Sequence, residues 1–419
     1  MPIETHGIRI AGTVLTASDR PPETAAPSSM DGALSQELAA LERAGLRRRL
    51  RPLHGRTGAS VADSNRVLCD FSSNDYLGLA TDPRLALAAA TALDSAGTGA
   101  AAARLISGHH ELHDELERAL ARFVGTEAAL LFPSGYMANL GAIPALVGRG
   151  DAIYSDVLNH ASLIDGCRLS RADVHVLPHA GLADLERALE RQGGGRYRRR
   201  MIVVEGIYSM GGDLYPLDAL VPLARRYDAW IYLDDAHGVG VLGPNGRGSG
   251  EHWGVGDAVD ILMGTLGKAC GVAGAFVAGS RPLVDYLTNR ARAFVYTTGT
   301  PPALAAAARR ALEVVAQEPE RRGRLRDNAR RLRAGLAARG WPAAGPDDGH
   351  IVPVVIGASE ATMAVAAALE AAGFLVGAIR PPTVPAGTAR LRITVSTAHD
   401  AAAIDALLDA LAAALPSHP

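Results

Sequence analysis

Cysteine is scarce in this chain. Cys69, Cys167 and Cys270 are spread over 419 residues and form no CxxC pair. That spacing suggests neither a zinc ribbon nor a disulfide framework, and it predicts a reducing, cytoplasmic setting. Charge imbalance is also lacking. The formal net charge is −2, so nothing global points to nucleic acid or to an anionic membrane as a partner. No apolar stretch is long and unbroken enough to cross a bilayer. The first residues (Glu4, His6, Arg9, Asp19, Arg20) show no basic segment followed by an apolar block, so no secretory signal is expected. No repeat of 20–50 residues is visible. Gly267-Lys268 is not a phosphate-binding Walker loop, because Leu262 stands where a glycine is required and Ala269 where Ser or Thr is. His109, His110 and His113 lack the HExxH spacing, and no metal site is predicted.

What is present is a chain of ordinary globular composition, 48% hydrophobic and 21% charged, long enough for at least two domains. Residues 1–30 are rich in Pro, Thr, Ala and Ser with little periodicity and read as a flexible extension. A helical pattern (Leu34, Leu38, Leu41, Leu46) follows from Asp31 to about Arg51, closed by Pro52. Val67–Phe71 reads as a strand. From there to about residue 300, apolar strands near 128–132, 151–154, 173–177, 201–205, 230–234, 260–264 and 273–278 alternate with helices near 111–124, 182–192 and 216–227. Such alternation predicts an α/β fold with a mostly parallel sheet covered on both faces. After Pro301-Pro302, a long helix, strands near 351–356 and 390–395 and a closing helix at 400–415 predict a smaller α+β domain. The expected partition is 1–30, 31–72, a large domain over 73–302 and a small domain over 303–419.

Chemistry concentrates at predicted strand ends. Trp230–Asp234 ends in a carboxylate, and the Ile261–Gly264 run leads through Thr265 to the lone Lys268. Open α/β sheets bind ligands in the crevice at the carboxyl ends of their strands. An amine and a carboxylate there suit pyridoxal phosphate, whose aldehyde condenses with a lysine and whose pyridine nitrogen pairs with an acid. Either residue alone has an ordinary surface explanation; the pair with its neighbours does not. Phe132-Pro133-Ser134-Gly135-Tyr136 links a strand to a helix N-terminus, an arrangement that offers N–H groups and a positive dipole end to a phosphate. Thr265 is placed to add a hydroxyl. His160, after the strand ending near Ser155, is placed to stack on a flat ring. His237 can bond the ring's phenolic oxygen or position Asp234, and Ser209 can reach the same oxygen. The basic run Arg196–Arg200 reads as a solvated loop, and the arginines of 320–333 as the polar face of a helix.

These segments carry a resemblance. From about residue 34 to 415 the chain resembles the α-oxoamine synthases, pyridoxal-phosphate enzymes of fold type I, the aspartate-aminotransferase fold. The matching motifs, in order, are Asn74-Asp75-Tyr76-Leu77-Gly78, Ser134-Gly135-Tyr136, Asn159-His160-Ala161-Ser162, Glu205-Gly206, Asp234-Asp235-Ala236-His237-Gly238-Val239-Gly240, Gly246-Arg247-Gly248 and Thr265-Leu266-Gly267-Lys268. The run from Ala378 to Arg392 and the stretch Leu46-Arg47-Arg48-Arg49 resemble the alanine-using, biotin-pathway branch. The chain departs from the pattern at Gly99-Ala100-Ala101-Ala102-Ala103, where the family carries glycine and serine, and in the extension over 1–30.

The resemblance implies roles by position. Lys268 is the Schiff-base lysine and Asp234 the partner of the pyridinium nitrogen. His160 stacks on the ring; Ser209 and His237 contact its oxygen side. Gly135, Tyr136 and Thr265 hold the phosphate, with Thr297 and Thr298 reaching the phosphate of a partner subunit in a homodimer. Arg380 takes a substrate carboxylate, while Arg47 and Asn74 line the acyl side. The implied reaction condenses L-alanine with a pimeloyl thioester, on CoA or a carrier protein, with loss of CO2. Glycine-using synthases of the aminoketobutyrate ligase or aminolevulinate synthase type share these motifs and remain an alternative. A non-catalytic regulatory subunit of this fold would be expected to lack Lys268, and a DNA-binding regulator would need a helix-turn-helix domain that residues 1–30 are too short to supply.

Overall fold

The computed structural model describes residues 29–63, 66–191 and 195–415. The predicted N-terminal extension therefore lies, except for its last two residues, outside the described residues. The main sheet has seven strands, numbered here in chain order: β1 Ala128–Phe132, β2 Ala152–Asp156, β3 Asp173–Leu177, β4 Arg200–Glu205, β5 Trp230–Asp234, β6 Ile261–Thr265 and β7 Ala275–Gly279. Their order across the sheet is β1-β7-β6-β5-β4-β2-β3. β7 runs antiparallel to both its neighbours, and the other pairs are parallel. Six carboxyl ends therefore share one edge.

The strands form where short apolar runs can be covered on both faces. Every residue of β1, β2 and β7 is buried, as expected of strands inside a helix-covered sheet. β3, at the sheet's edge, leaves Asp173 and Val176 exposed. Helices Gly135–Leu146 and Ala161–Ser170 pack closely on one another. Gly166 makes this possible, since a Cβ there would meet the Asn139 carbonyl oxygen at 2.9 Å.

Two smaller sheets complete the fold. Ile351–Gly357, Ala389–Thr394 and Gly377–Ile379 form an antiparallel three-stranded sheet, backed by helices Ser359–Ala371 and Glu320–Ala338, on which helix Ala401–Ala414 packs in turn. His54–Thr57, Ser60–Ala62 and Val67–Asp70 join Phe374–Leu375, the last pair parallel, so the chain's beginning is stitched to its C-terminal third. One apolar cluster runs from Phe71, Leu266 and Phe276 to Leu391 and Leu407.

Most predicted elements lie within one or two residues of those observed, and the helix from Glu111 to Val124 matches at both ends. The N-terminal helix is a correction. It spans Met30–Arg43, not Asp31 to about Arg51. Gly45 (φ +64°) turns the chain out of the helix, and the run of cations that follows offers no apolar face to extend it. Pro52 is therefore not what ends it. This helix buries no residue, and Leu34, Leu38 and Leu41 face outward.

Candidate active site

Gly135, Tyr136, His160, Ser209, Asp234, His237 and Lys268 lie at or just after strand exits along the shared sheet edge. Lys268 follows β6, and its Nζ is 2.9 Å from His237 Nε2. Burial lowers the amine's pKa from its ordinary value near 10.5 to about 8, against the pull of Asp234 and Glu205, which favour the charged form. His237 is buried, and its Nδ1 lies 2.7 Å from Tyr76 Oη. Burial, with the Lys268 charge beside it, pushes its pKa well below the usual imidazole range, so the ring is neutral.

Asp234, at the end of β5, is held by two donors. Asn139 Nδ2 donates to Oδ2 at 2.8 Å, and the Ala236 N–H donates to Oδ1 at 3.1 Å. Asn139 is itself fixed, donating to Ser162 Oγ (2.9 Å) and accepting from Tyr232 Oη (2.8 Å). Asp235 serves a different place. Its oxygens accept from Ser249 Oγ (2.5 Å) and the Ser249 N–H (2.6 Å). Gly206 crowds the same spot: a Cβ there would meet Asp235 Oδ1 at 2.3 Å. Glu205 stands beside Asp234 in register across β4 and β5. Burial and then that neighbouring charge raise its pKa well above the carboxylate range.

His160 caps helix Ala161–Ser170 and stays exposed. Its N–H donates to Glu205 Oε1 (2.5 Å), and its Nδ1 lies 2.7 Å from Ser162 Oγ. Ser134 caps helix Gly135–Leu146, its Oγ accepting from the Met137 N–H. Gly135 and Tyr136 thus occupy a first helical turn, where N–H groups lack intrahelical partners. Thr265 Oγ1 donates to the Gly274 carbonyl (3.1 Å) and accepts from the Gly267 N–H (3.2 Å). Asn74 Oδ1 accepts from Tyr76 Oη (3.0 Å) and from both terminal nitrogens of Arg392 (3.3 Å each). Arg392 Nε donates to the Ser209 carbonyl at 2.5 Å.

Other predicted residues lie apart from this cluster. Arg380 and Arg47 form a rim, with Arg380 Nη2 3.4 Å from the Arg47 carbonyl and Arg47 paired to Glu42 at 3.1 Å. Arg380, Arg48 and Thr383 line a cavity of about 560 Å³. Thr297 and Thr298 belong to a second loop, which bridges Ala103 to Thr298. No hydrogen bond among the described residues ties them to the Lys268 group. His113, set aside as a metal ligand, joins that loop through Nε2, 2.8 Å from the Thr300 carbonyl. Among the described residues no group of three or more His, Cys, Asp or Glu is arranged to hold a metal ion.

Asn139, Tyr76 and Arg392 were missed as site residues. Tyr76 and Arg392 sit in motifs quoted from the sequence and Asn139 three residues past one, but nothing local marks any of them as a partner of Asp234, His237 or Asn74. The signal that exists for Arg392 is alternation along its strand, which puts it on the opposite face from Leu391.

This donor set fits pyridoxal phosphate. It offers a buried amine that sheds its proton near pH 8, an anchored carboxylate, an accessible imidazole and a capped helix N-terminus. Fold and site together define the class of fold-type-I pyridoxal-phosphate enzymes. Residues 66–411 match the family Aminotransferase class I and II. The 8-amino-7-oxononanoate synthase of Anaeromyxobacter dehalogenans is 51% identical over 386 residues, 92% of this chain and 96% of that one. Among solved structures, a variant serine palmitoyltransferase from S. paucimobilis with a bound PLP–myriocin aldimine superposes with a TM-score of 0.86 at 32% identity, covering 91% and 96% of the two chains. The 8-amino-7-oxononanoate synthase of Francisella tularensis gives 0.72 at 27%, covering 83% and 97%. The chain belongs to the aminotransferase class I and II family and, within it, to the 8-amino-7-oxononanoate synthases.

Proposed function

We infer that the chain catalyses the decarboxylative condensation of L-alanine with a pimeloyl thioester, giving 8-amino-7-oxononanoate, CO2 and free thiol in biotin biosynthesis. The observation that carries this reading is half-identity to synthases of that name across nine-tenths of the chain. Pyridoxal phosphate is the cofactor. When bound, it supplies an aldehyde that takes the substrate amine and a ring that draws electrons from the substrate Cα.

The protein's own groups are assigned as follows. Lys268 anchors the cofactor, and once released, its amine takes and returns the proton at Cα; a pKa near 8 suits both duties near neutrality. Asp234, oriented by Asn139 and the Ala236 N–H, keeps the pyridine nitrogen protonated. His160 covers one ring face, and Ser209 and His237 address the phenolic oxygen. The N–H groups of Gly135 and Tyr136, with Thr265, hold the phosphate. Arg380 grips the substrate carboxylate, and Arg47 and Asn74 line the acyl side. The active unit is a homodimer in which Thr297 and Thr298 reach the partner's phosphate. The outward apolar stripe of helix Met30–Arg43 supports an interface of this kind.

The higher TM-score of the serine palmitoyltransferase raises serine as a competing amino acid, while the closer sequence match favours alanine. Turnover of alanine, glycine and serine against pimeloyl, acetyl, succinyl and palmitoyl thioesters, each on CoA and on a carrier protein, decides substrate identity. Alanine with pimeloyl thioester is expected to give the highest kcat/KM; a glycine or serine preference would overturn the reading. Shared sites have their own test. Mixing Lys268→Ala chains with Thr297→Ala/Thr298→Ala chains is expected to restore part of the activity, because hybrid dimers contain one intact site. A fully active monomer in sedimentation would refute the shared site.

A further inference from the structure

One charged cluster beside the same sheet edge is not used by the assignments above. His179 follows the exit of β3 and carries a carboxylate at each ring nitrogen. Nδ1 is 3.1 Å from both oxygens of Asp156, and Nε2 is 2.6 Å from Asp213 Oδ2. An ionised carboxylate only accepts hydrogen bonds, so both nitrogens donate and the ring is an imidazolium.

The two carboxylates belong to different loops. Asp156 ends β2, and its oxygens also accept from the Leu158 N–H (2.8 Å) and the Ala180 N–H (2.9 Å), ordering the turn that delivers Asn159 and His160. Asp213 lies in the hairpin after β4, closed by the Ile207–Leu214 bridge, with Ser209 near its tip. The Tyr208 N–H donates to the Asp213 carbonyl (3.0 Å), and the Tyr208 ring stands edge-on to His179, 4.4 Å between centroids. From its other side the hairpin is held by Arg392 on the Ser209 carbonyl and by Arg390 on the Met210 carbonyl (3.4 Å).

We propose that His179, clamped as an imidazolium between Asp156 and Asp213, is a positioning residue that fixes the His160 turn relative to the Ser209 hairpin. A planar ring with donors at opposite ends spans two carboxylates on two loops. A lysine is one point charge on a flexible stem and cannot hold that geometry. The charged groups around the ring are Asp156 from β2 and Asp213 from the hairpin, with Arg390 of strand Ala389–Thr394 facing Asp213; Tyr208 stands against the ring, with Tyr215 beside Tyr208 and Asp156. Hydrogen bonds donated to Asp156 and then to Asp213 raise the imidazole pKa to about 10 against the cost of burial, so the charge persists through neutral pH and is lost as pH climbs past about 10.

The inference rests on the proposed roles of His160 and Ser209 at the cofactor ring, and its test has two arms. Nitrogen NMR of the histidine-labelled wild-type protein, assigned by the resonance missing in His179→Gln, is expected to show both His179 nitrogens protonated at pH 8; a neutral ring overturns the proposal. In the second arm, PLP affinity is measured by equilibrium dialysis of apoprotein well below its melting temperature, alongside kcat and KM for alanine. His179→Phe is expected to raise the PLP dissociation constant tenfold or more and to lower kcat more than it raises KM. His179→Gln, which keeps one donor, is expected to recover part of the loss. If His179→Phe does not fold, His179→Gln and Asp213→Asn carry the test with a rise of threefold or more. Wild-type PLP affinity in the folded variants, even with a lowered melting temperature, would leave His179 a purely structural role and sink the proposal alone. A wild-type protein that takes up no PLP would sink the functional reading as well.

Discussion

The Lys268 cluster and the Arg47–Arg380 rim both carry residues marked by sequence as functional, yet water meets them differently. At the sheet edge Asp234, Glu205 and His237 are buried, and each polar group meets a specific partner. Burial there moves the Lys268 amine to about 8 and keeps His237 neutral. At the rim Arg47 is exposed and pairs with the more exposed Glu42, the sort of pair worth about 0–1 kcal/mol. Desolvation shifts the charges of the buried region, whereas the rim leaves its charges in water; the role proposed for the rim is to take a substrate by placed charge. Substitutions in the two regions should therefore fail in different ways.

The largest effect is expected at Lys268. Lys268→Ala should lower turnover by on the order of 10²–10⁴-fold, the range for losing a positioned proton-transfer group, and should abolish borohydride fixation of the cofactor on the peptide that contains residue 268. Wild-type turnover would remove Lys268 from the mechanism. The pH dependence follows from the lowered pKa. Only the neutral amine attacks the cofactor's aldehyde, so PLP uptake by the apoprotein should speed up as pH rises and level off above about 8. A rate still climbing toward the ordinary lysine pKa near 10.5 would show that the amine is not buried as described.

A smaller contrast lies between neighbours. Asp234→Ala should cut turnover by on the order of 10²-fold and weaken PLP retention, since a charge partner of a buried group is worth roughly 1–3 pK units. Asp235→Asn should keep activity, because one carbonyl oxygen and one amide can still serve Ser249. Asp235→Ala should instead lower stability by about 1–3 kcal/mol through buried donors left unmet. Equal loss of PLP at both positions would erase the distinction drawn between them.

The smallest expected effect is at the rim. Arg380→Lys should keep PLP and its visible absorbance while losing about 1.5–3 kcal/mol of affinity for alanine or for the amino-ketone product, the range for a hydrogen bond to a charged group, because lysine cannot reproduce the two-pronged grip. Absorbance titrations with both ligands measure it. Unchanged binding in Arg380→Lys and in Arg380→Ala would confine this residue to its contact with the Arg47 carbonyl.

Much of the fold was legible because its strands are short apolar runs ending in polar or glycine residues. Asp234 and Lys268 could be placed at strand ends from that pattern alone. The helix starting at Met30 was overrun because leucine spacing continues past Arg43 while the backbone turns at Gly45. The tie of Asp235 to Ser249 could not be read locally, because it depends on a loop that returns from fourteen residues away.

By itself the sequence determined the alternation of strands and helices, the family, the lysine and the acid, since these are written in local periodicity and motif. Only the tertiary structure decided that Asn139 orients Asp234, that Tyr76 meets His237, that Arg392 reaches Asn74 and Ser209, and that His179 joins two loops. The physical reason is that each of these contacts pairs residues dozens to hundreds of positions apart. Their energies come from burial and from hydrogen-bond geometry, neither of which exists until the strand exits are brought to one edge.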